Sequence, residues 1–243
     1  MHAFTEFHDE LRSVAGDLLA KDRVVDWPVL VETGWVGLEV PDDLGGAGAT
    51  LCEVAVVCEE MGRAASSSSY LGSAVLAVGA LKALQPSASR DRLMAEIAAG
   101  TVRAAVAIGS FALGTDQCLF GRAEFVPDAE DADLLLVVAA EPDGSPVLVQ
   151  AAGVSVTPQP VLDETRRLAT VNADDVSAED VWPFGGGLRR VLDRAALAVA
   201  CDSLGLAEAM LSATVSYAGV RQQFGRPIGS FQAVKHACAD MAV

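Results

Sequence analysis

The spacing of hydrophobic residues changes twice along the 243-residue chain, and this change constrains the fold more than any other feature. Apolar side chains in the first hundred residues recur at helical spacing, as at Phe7, Leu11 and Leu18. Residues 102–180 instead carry short apolar runs separated by Gly, Pro and Asp, which is typical of strands joined by turns. No helical run separates these strands, so an antiparallel barrel or sandwich is favoured over alternating strands and helices. The predicted strands cover 102–108, 119–126, 132–139, 146–150, 154–158 and 168–174.

The pattern predicts an α+β fold in three parts. Residues 1–100 form an N-terminal helical domain, which includes helices over about 70–84 and 88–99. Residues 101–181 form the β domain, and residues 182–243 form part of a C-terminal helical bundle. Residues 182–187, which open this third part and end in three glycines, are predicted to be a linker.

The C-terminal part is predicted to contain one long helix over about 188–220 and a second helix that starts near Ser230. The long helix is rich in Ala and contains Gly205, so we expect it to touch more than one neighbouring helix, as in a bundle or an oligomer core. Two helices cannot bury their own apolar faces. We therefore expect either that the chain is a shortened form or that another chain completes the bundle through these helices.

Composition excludes several classes of function. The formal net charge of -16 repels nucleic acid and anionic membrane surfaces, so neither is expected as a partner. Apolar runs such as 134–140 are too short to span a bilayer, and the N-terminus lacks the features of a signal peptide. The five scattered cysteines and three histidines show no metal-ligand spacing, so no metal site is predicted. A cytoplasmic location is expected.

The stretch that follows the long helix gathers groups that suit a diphosphate. Arg221 comes at the helix end, Phe224 and Gly225 form a turn before Pro227, and Gln232 opens the next helix. A guanidinium stays charged and can contact phosphate oxygens with two hydrogen bonds. The alternative is that Arg221 is a solvated cation favoured by the helix dipole and that Phe224 fills a core position.

This corner and three other motifs resemble the acyl-CoA dehydrogenase family of flavoproteins, and the resemblance covers nearly the whole chain. The first-domain loop of residues 37–48, the helix that ends at Arg63 and the string of residues 163–168 are similar to family elements. The strongest motif is Arg221-x-x-Phe224-Gly225-x-Pro227-Ile228-x-x-Phe231-Gln232-x-x-Lys235, followed by Ala239-Asp240-Met241-Ala242.

The resemblance implies a helical domain, a β barrel and a C-terminal four-helix bundle, together with FAD and α,β-dehydrogenation of an acyl-CoA thioester. It implies homo- or hetero-oligomers in which this corner serves the FAD of a neighbouring subunit. Arg221 would pair with the pyrophosphate, Phe224 would pack on the nucleotide and Gln232 would hydrogen-bond the ADP moiety. Gln223, Ile228 and Phe231 would line the same slot.

The chain departs from the family in two places. Residues 104–116 replace the segment that opens the β domain and holds the flavin ring, and they carry Gly109-Ser110 without the preceding acid. Ala195 occupies the position where some members place the catalytic base on the long helix, and neighbouring Asp193 faces about 100° or more away. No catalytic residue is therefore nominated. Trp35 and Trp182 are interpreted as packing anchors rather than flavin-stacking residues.

Three functions remain open from the sequence. The chain could be a dehydrogenase subunit that lends its corner to the FAD of a partner, or an active homo-oligomer whose C-terminal region is missing. It could instead be a catalytically inactive scaffold or regulatory subunit. An acyl-CoA oxidase or a flavin monooxygenase would share the same fold.

Overall fold

The computed structural model describes the backbone of residues 2–242 and the side chains of residues 7–242. Its first part is helical, as predicted. The start of α3 is fixed by Thr50, whose hydroxyl accepts a 3.2 Å hydrogen bond from the Cys52 N–H, while the Glu53 carboxylate accepts one of 2.7 Å from the Thr50 N–H. The N-terminal helices are α1 His2–Leu19, α2 Trp27–Glu32, α3 Leu51–Arg63, α4 Val78–Lys82 and α5 Ala88–Ala98.

The segment before α4 is wound as a π-helix, Leu71–Ala77, and continues directly into α4. The helix predicted over about 70–84 is therefore present, but its first turns are wider than an α-helix. The Val75 carbonyl in this segment accepts a 2.6 Å hydrogen bond from Nε of Arg194. Turns of this kind are rare and often lie at functional sites, and this one borders a buried polar group described with the site.

The central part is a six-stranded sheet that closes on itself. The strands are ordered β2-β1-β3-β4-β6-β5, and β2 also pairs with β6, so five strands form a ring with β5 beside the first half of β6. This closure confirms the predicted barrel. The strands are β1 Ala104–Leu113, β2 Cys118–Pro127, β3 Leu134–Ala140, β4 Pro146–Ala151, β5 Ser155–Gln159 and β6 Leu168–Pro183.

The barrel is buried on two faces, and β1 shows how. Ala104 and Val106 belong to the core shared with the N-terminal helices. Ala105 and Ala107 alternate with them and belong to the barrel interior. A strand covered on both faces reads as a continuous apolar run, which explains the sequence of β1. The outer face of β1 therefore packs directly against the N-terminal helices.

One strand pair differs from the predicted antiparallel arrangement. β1 and β3 run parallel, with Ala104 opposite Leu134 and Ile108 opposite Val138. After β1, the chain forms β2, which pairs with one side of β1. It then passes through the helical turn Ala129–Asp131 and begins β3 on the other side of β1, next to the start of that strand. Side-chain alternation is the same in both pairing directions, so the sequence pattern did not reveal this pair.

The predicted linker over 182–187 is wrong for its first residues. β6 continues to Pro183, which pairs with Val147, and Trp182 is buried with its indole N–H donating to the Ser89 hydroxyl at 3.1 Å. Trp182 is thus a packing anchor, as interpreted. Trp35 is also buried, with its ring edge against Tyr70 at a centroid distance of 6.5 Å.

The long C-terminal helix α6 spans Gly187–Val220 and crosses α3 at very short range. A Cβ atom on Gly205 would lie 1.8 Å from the Glu59 carbonyl oxygen, and one on Gly62 would lie 1.8 Å from the Asp202 carbonyl oxygen. The two backbones therefore approach through a reciprocal pair of glycines, which accounts for Gly205 in a helix interior. The predicted close contact of this helix with a neighbour is confirmed at this crossing.

The expectation that every apolar run is too short to span a bilayer is wrong for α6. An 18-residue window of this helix has a mean hydropathy of 1.4, so its length and composition would allow a membrane span. The helix exposes large apolar side chains such as Leu204, Met210 and Val215, and it packs on α3 through Gly205. These contacts are those of a bundle helix, which passes the same test of length and composition.

Candidate functional site

The predicted corner is a tight hairpin at the end of α6. The helix stops at Val220, and the N–H of Arg221 donates to the Tyr217 carbonyl at 2.9 Å. Two-residue strands, β7 Gln222–Gln223 and β8 Arg226–Pro227, then pair in antiparallel register. Phe224 and Gly225 connect them with φ values of 54° and 75°, as in the mirror-image turns that suit hairpins. The last helix, α7 Gln232–Met241, follows.

The structure brings all six predicted residues into this hairpin and the turn after it. Phe224 is 92% exposed, and its ring meets the ring of Phe231 edge-on at a centroid distance of 6.1 Å. The Ile228 N–H donates to the Arg221 carbonyl at 2.7 Å, which holds the two sides of the corner together. Arg221, Gln223 and Gln232 are exposed, while Ile228 and Phe231 are half-buried.

The side chains of this corner fit the ADP half of an FAD. In the described part of the chain, no carboxylate lies within ion-pair distance of Arg221, whereas Arg189 and Arg194 on the same helix each have one. The nearby Arg226 is placed differently, since its guanidinium lies 4.1 Å from the centroid of the Phe231 ring. An unpaired guanidinium beside an exposed aromatic ring and an amide is suited to a diphosphate joined to a nucleoside. The individual roles stay predictions.

The segment that replaces the flavin-ring segment is part of a strand. Ser110 lies in β1 opposite Arg122, and a Cβ on Gly109 would come within 2.4 Å of the Arg122 carbonyl oxygen. The Gly114 N–H donates to the Cys118 carbonyl at 2.8 Å and closes the β1–β2 turn. Residues 104–118 thus form a hairpin with a register shift between Ile108 and Ala112 where β1 pairs with β3, and they lack the acid that precedes Gly-Ser in the family segment that holds the flavin ring.

The neighbours of Ala195 on α6 are engaged elsewhere. Asp193 accepts a 2.8 Å hydrogen bond from Arg189 on the exposed face. Arg194 turns inward to Glu39, in an ion pair that is almost fully buried. Ala195 itself is half-buried against the core. The carboxylate nearest in sequence therefore does not take the position of a base at Ala195.

A second feature, which sequence reasoning missed, is a small polar cavity between α3, α6, the π-helical segment and the barrel. We call it the Tyr70 cavity, and its volume is about 40 Å³. Tyr70 is 1% exposed, and its hydroxyl has no hydrogen-bond partner in the described part of the chain. The wall includes Tyr70, Leu71, Asp128, Arg166, Ala198 and Asp202.

Burial shifts the pKa of three groups at this cavity. It raises the pKa of Asp128 to about 6, although the Gly72 N–H donates to this carboxylate at 2.7 Å and Arg167 lies near it. It also raises the pKa of the Tyr70 hydroxyl well above its ordinary value and that of the Cys58 thiol to about 12. Tyr70 and Cys58 are therefore neutral at physiological pH.

The cavity escaped sequence reasoning because its wall comes from distant parts of the chain. Tyr70 follows the serine run 66–69, and Arg166 lies in the family-like string 163–168, but nothing in the spacing joins them. The structure does so through Arg166, which forms an ion pair with Asp202 on α6. The sequence feature that could have indicated this cavity is an aromatic residue, Tyr70, directly after the serine run.

Models of known families match both ends of the chain. Residues 5–101 match the family described as acyl-CoA dehydrogenase, N-terminal domain, and residues 187–243 match acyl-CoA dehydrogenase, C-terminal domain. Among curated relatives, acyl-CoA dehydrogenase IpdE2 of Mycobacterium tuberculosis is 38% identical over 229 residues, which are 93% of this chain and 64% of the relative. FadE28 of the same organism is 30% identical over 91% of this chain and 68% of the relative.

Solved structures share the fold over almost the whole chain. A variant of the Tcur3481-Tcur3483 steroid ACAD has a TM-score of 0.85 and 29% identity, covering 97% of this chain and 73% of that one. The ChsE4-ChsE5 complex from Mycobacterium tuberculosis has a TM-score of 0.81 and 26% identity, covering 96% and 72%. This chain spans less than two thirds of the length of the IpdE2 proteins of two mycobacteria, 64% and 61%.

The family models cover more than half of the residues and frame the barrel that the solved relatives also contain. This chain belongs to the acyl-CoA dehydrogenase family.

Proposed function

We propose that this chain is a subunit of an acyl-CoA dehydrogenase and that it lends its corner to an FAD shared with another chain. The reaction is the α,β-dehydrogenation of an acyl-CoA thioester, and FAD, when bound, supplies the acceptor for the hydride. Arg221 pairs with the pyrophosphate, Phe224 packs on the nucleotide and Gln232 hydrogen-bonds the ADP moiety. Gln223, Ile228 and Phe231 line the slot.

The observation that carries this proposal is the position of the corner relative to the rest of the chain. The last ion pair in the described part that links α6 to the N-terminal helices joins Glu208 to Arg63 at 2.5 Å. The helix continues for twelve more residues to Val220, which at the α-helical rise extends it by about 18 Å. An unpaired arginine and an exposed phenylalanine at that distance support a corner that serves a cofactor bound in part by a neighbouring chain.

Two further observations favour a shared site over a site within this chain. The β1–β2 hairpin lacks the acid that precedes Gly109-Ser110 in the family segment, which favours another source of contacts for the ring half of the cofactor. Two of the similar solved structures are each named for two different proteins, Tcur3481-Tcur3483 and ChsE4-ChsE5. We extend that arrangement to this chain as part of the proposal.

The test is the FAD content of the purified chain, alone and after co-expression with candidate partner chains from its host. Shared binding predicts a colourless chain alone and about one flavin per pair of unlike chains in the complex. Addition of an acyl-CoA should then bleach the flavin absorbance of the complex. A chain that alone binds FAD with near-equal stoichiometry and is bleached by acyl-CoA would contradict the lending role.

A second candidate is a catalytically inactive scaffold or regulatory subunit, which the alanine at position 195 and the altered β1 segment favour. This subunit would keep the α6 surface for assembly without contacting FAD. The Arg221→Ala variant separates the two: a scaffold subunit would leave the complex with its wild-type FAD affinity, whereas the lending role requires a loss.

A further inference from the structure

An open cleft between α3, α4 and α6 gathers several cations. We call it the Arg190 cleft, and its volume is about 420 Å³, within the range of about 300–1,000 Å³ that is typical of small-molecule sites. Such a cluster is unexpected in a chain that has 33 acidic residues against 17 lysines and arginines. The charged residues of its wall are Lys82, Arg190, Asp193 and Arg194.

The carboxylates near this cleft are already paired, and they leave one cation over. Asp193 accepts hydrogen bonds from Arg189 at 2.8 and 3.0 Å, so these two charges cancel. Arg194 forms the buried ion pair with Glu39. Because Glu39 carries a single negative charge, the ammonium of Lys82, which lies 2.8 Å from the same carboxylate, is in excess.

Arg190 is the second cation without a counter-charge. It is exposed on α6, and no carboxylate lies within ion-pair distance of it among the residues whose side chains the structure describes. Arg194 follows it by four residues, a spacing that places both on one face of the helix. Lys82 and Arg190 therefore give the Arg190 cleft two positive charges that no described side chain neutralises.

The fold holds the ammonium of Lys82 in a fixed position. Its Nζ donates both to the carboxylate of Glu39 and, at 3.1 Å, to the carbonyl of that residue, which leaves one of its three N–H groups for a ligand. Gly79 makes room for the arrangement, since a Cβ atom there would lie 2.4 Å from Cδ of Arg194. A cation that is already ordered loses less side-chain entropy when it binds a ligand.

A phosphate monoester matches the groups of this cleft. It carries a charge of about −1.5 to −2 at pH 7 and has three acceptor oxygens, whereas a carboxylate carries only one charge. A guanidinium can contact two of these oxygens, and an ammonium can contact another. The wall also includes the apolar side chains of Leu51, Ala83 and Leu197, which suit a carbon skeleton attached to the phosphate.

We propose that the Arg190 cleft binds a small organic phosphate monoester. Lys82 and Arg190 contact the phosphate, and Leu51 and Leu197 contact the organic part. Arg190 and Arg221 lie near opposite ends of α6, about 45 Å apart along the helix axis. Within one chain this site is therefore separate from the corner, and its ligand does not depend on FAD.

The test is a calorimetric titration of the purified chain, or of its complex with a partner chain, with phenyl phosphate and with inorganic phosphate. Phenyl phosphate should bind at one site per chain, and more tightly than inorganic phosphate because its ring contacts the apolar wall. Arg190→Gln should weaken this binding about five- to tenfold, and Arg190→Lys should retain most of it because the charge is kept. Arg190 is exposed and unpaired, so both variants should unfold at the same urea concentration as wild type.

The matched control is Arg23→Gln, which removes another exposed cation from a different cleft, between α1 and α3, and should leave phenyl phosphate binding unchanged. Equal losses in Arg190→Gln and Arg23→Gln would mean a general attraction of anions and would overturn the site, as would the absence of saturable binding. Equal affinity for the two phosphates would overturn the assignment to an organic ester. A loss in Arg221→Ala instead of Arg190→Gln would place the phosphate at the corner, so this titration and the FAD titration test the two sites separately.

Discussion

The two halves of α6 lie in different surroundings. The first half rests on the N-terminal helices, where Arg194 reaches Glu39 and Gly205 meets the backbone of Glu59. Beyond Glu208 the helix and the hairpin leave large side chains in solvent. The first half also exposes large apolar side chains, but its interior glycine and its inward arginine are explained by contacts within the chain. The second half has no ion pair to the N-terminal helices in the described part of the chain, and its exposed side chains indicate groups that act on another molecule. The exposed side chains of the second half are Met210, Val215, Tyr217, Val220 and Phe224.

The largest loss of stability is expected from a variant that removes the buried ion pair in the first half of α6. Replacing Arg194 with Met leaves Glu39 with Lys82 alone and removes the donor to the Val75 carbonyl. Removing one partner of a buried pair costs about 3–5 kcal/mol, so the free energy of unfolding should fall by that amount. The control Arg189→Met removes an exposed pair with Asp193 and should cost at most about 0.5 kcal/mol. Equal losses in urea denaturation would contradict the contrast.

The reciprocal glycine contact can be tested with the same substitution on both halves. Gly205→Ala places a methyl group against the Glu59 carbonyl and forces α3 and α6 apart, at a cost of about 2–3 kcal/mol. Gly219→Ala meets no atom within 4 Å and should be neutral or stabilise the helix by up to about 1 kcal/mol. Thermal unfolding of the two variants measures the difference. If the two variants unfold at the same temperature, α3 and α6 do not approach closely enough at Gly205 for a methyl group to separate them.

The pH dependence of stability tests the burial of Asp128 at the Tyr70 cavity. The pKa of this carboxyl is raised to about 6 in the folded chain, and its unfolded value is about 3.9. The folded state therefore binds more protons between these values, so its stability falls as pH rises from 4 to 6. The difference between the folded and unfolded pKa corresponds to a loss of at most about 3 kcal/mol.

The matched variant for this effect is Asp128→Asn. Its amide oxygen can still accept the Gly72 N–H, and asparagine tolerates the φ of 57° at this position. We expect the variant to gain stability relative to wild type between pH 4 and 7 in urea unfolding measured at successive pH values. A constant difference across that range would contradict the raised pKa.

The smallest effect on stability is expected at the corner. Phe224→Ala removes a ring that is 92% exposed and loses only its edge contact with Phe231. The free energy of unfolding should change by less than about 0.5 kcal/mol, while FAD retention by the complex should fall. Flavin absorbance after gel filtration reports the second quantity. A large loss of stability with full flavin retention would assign Phe224 to packing instead.

Much of the fold could be predicted because its helices and strands depend on residues that are close together in the sequence. The six strands overlap the predicted runs, and α6 starts within one residue of its predicted start and ends at the predicted residue. The parallel pairing of β1 with β3 and the path of β6 through Trp182 could not be predicted, since neither depends on side-chain spacing. The corner could be predicted because its residues lie within twelve positions of the sequence. The Tyr70 cavity could not, since its wall joins residues from four separate elements or connections: Tyr70, Asp128, Arg166 and Asp202.

The most direct test of the lending role is the FAD dissociation constant of the complex that contains Arg221→Ala. Loss of a charge-assisted contact should raise it about ten- to a hundredfold, with the free energy of unfolding unchanged. The control Arg189→Ala removes a cation from the same helix and should leave the constant at the wild-type value. An Arg221→Ala complex that binds FAD as tightly as wild type would contradict the account, because the corner would then have no role in holding the cofactor.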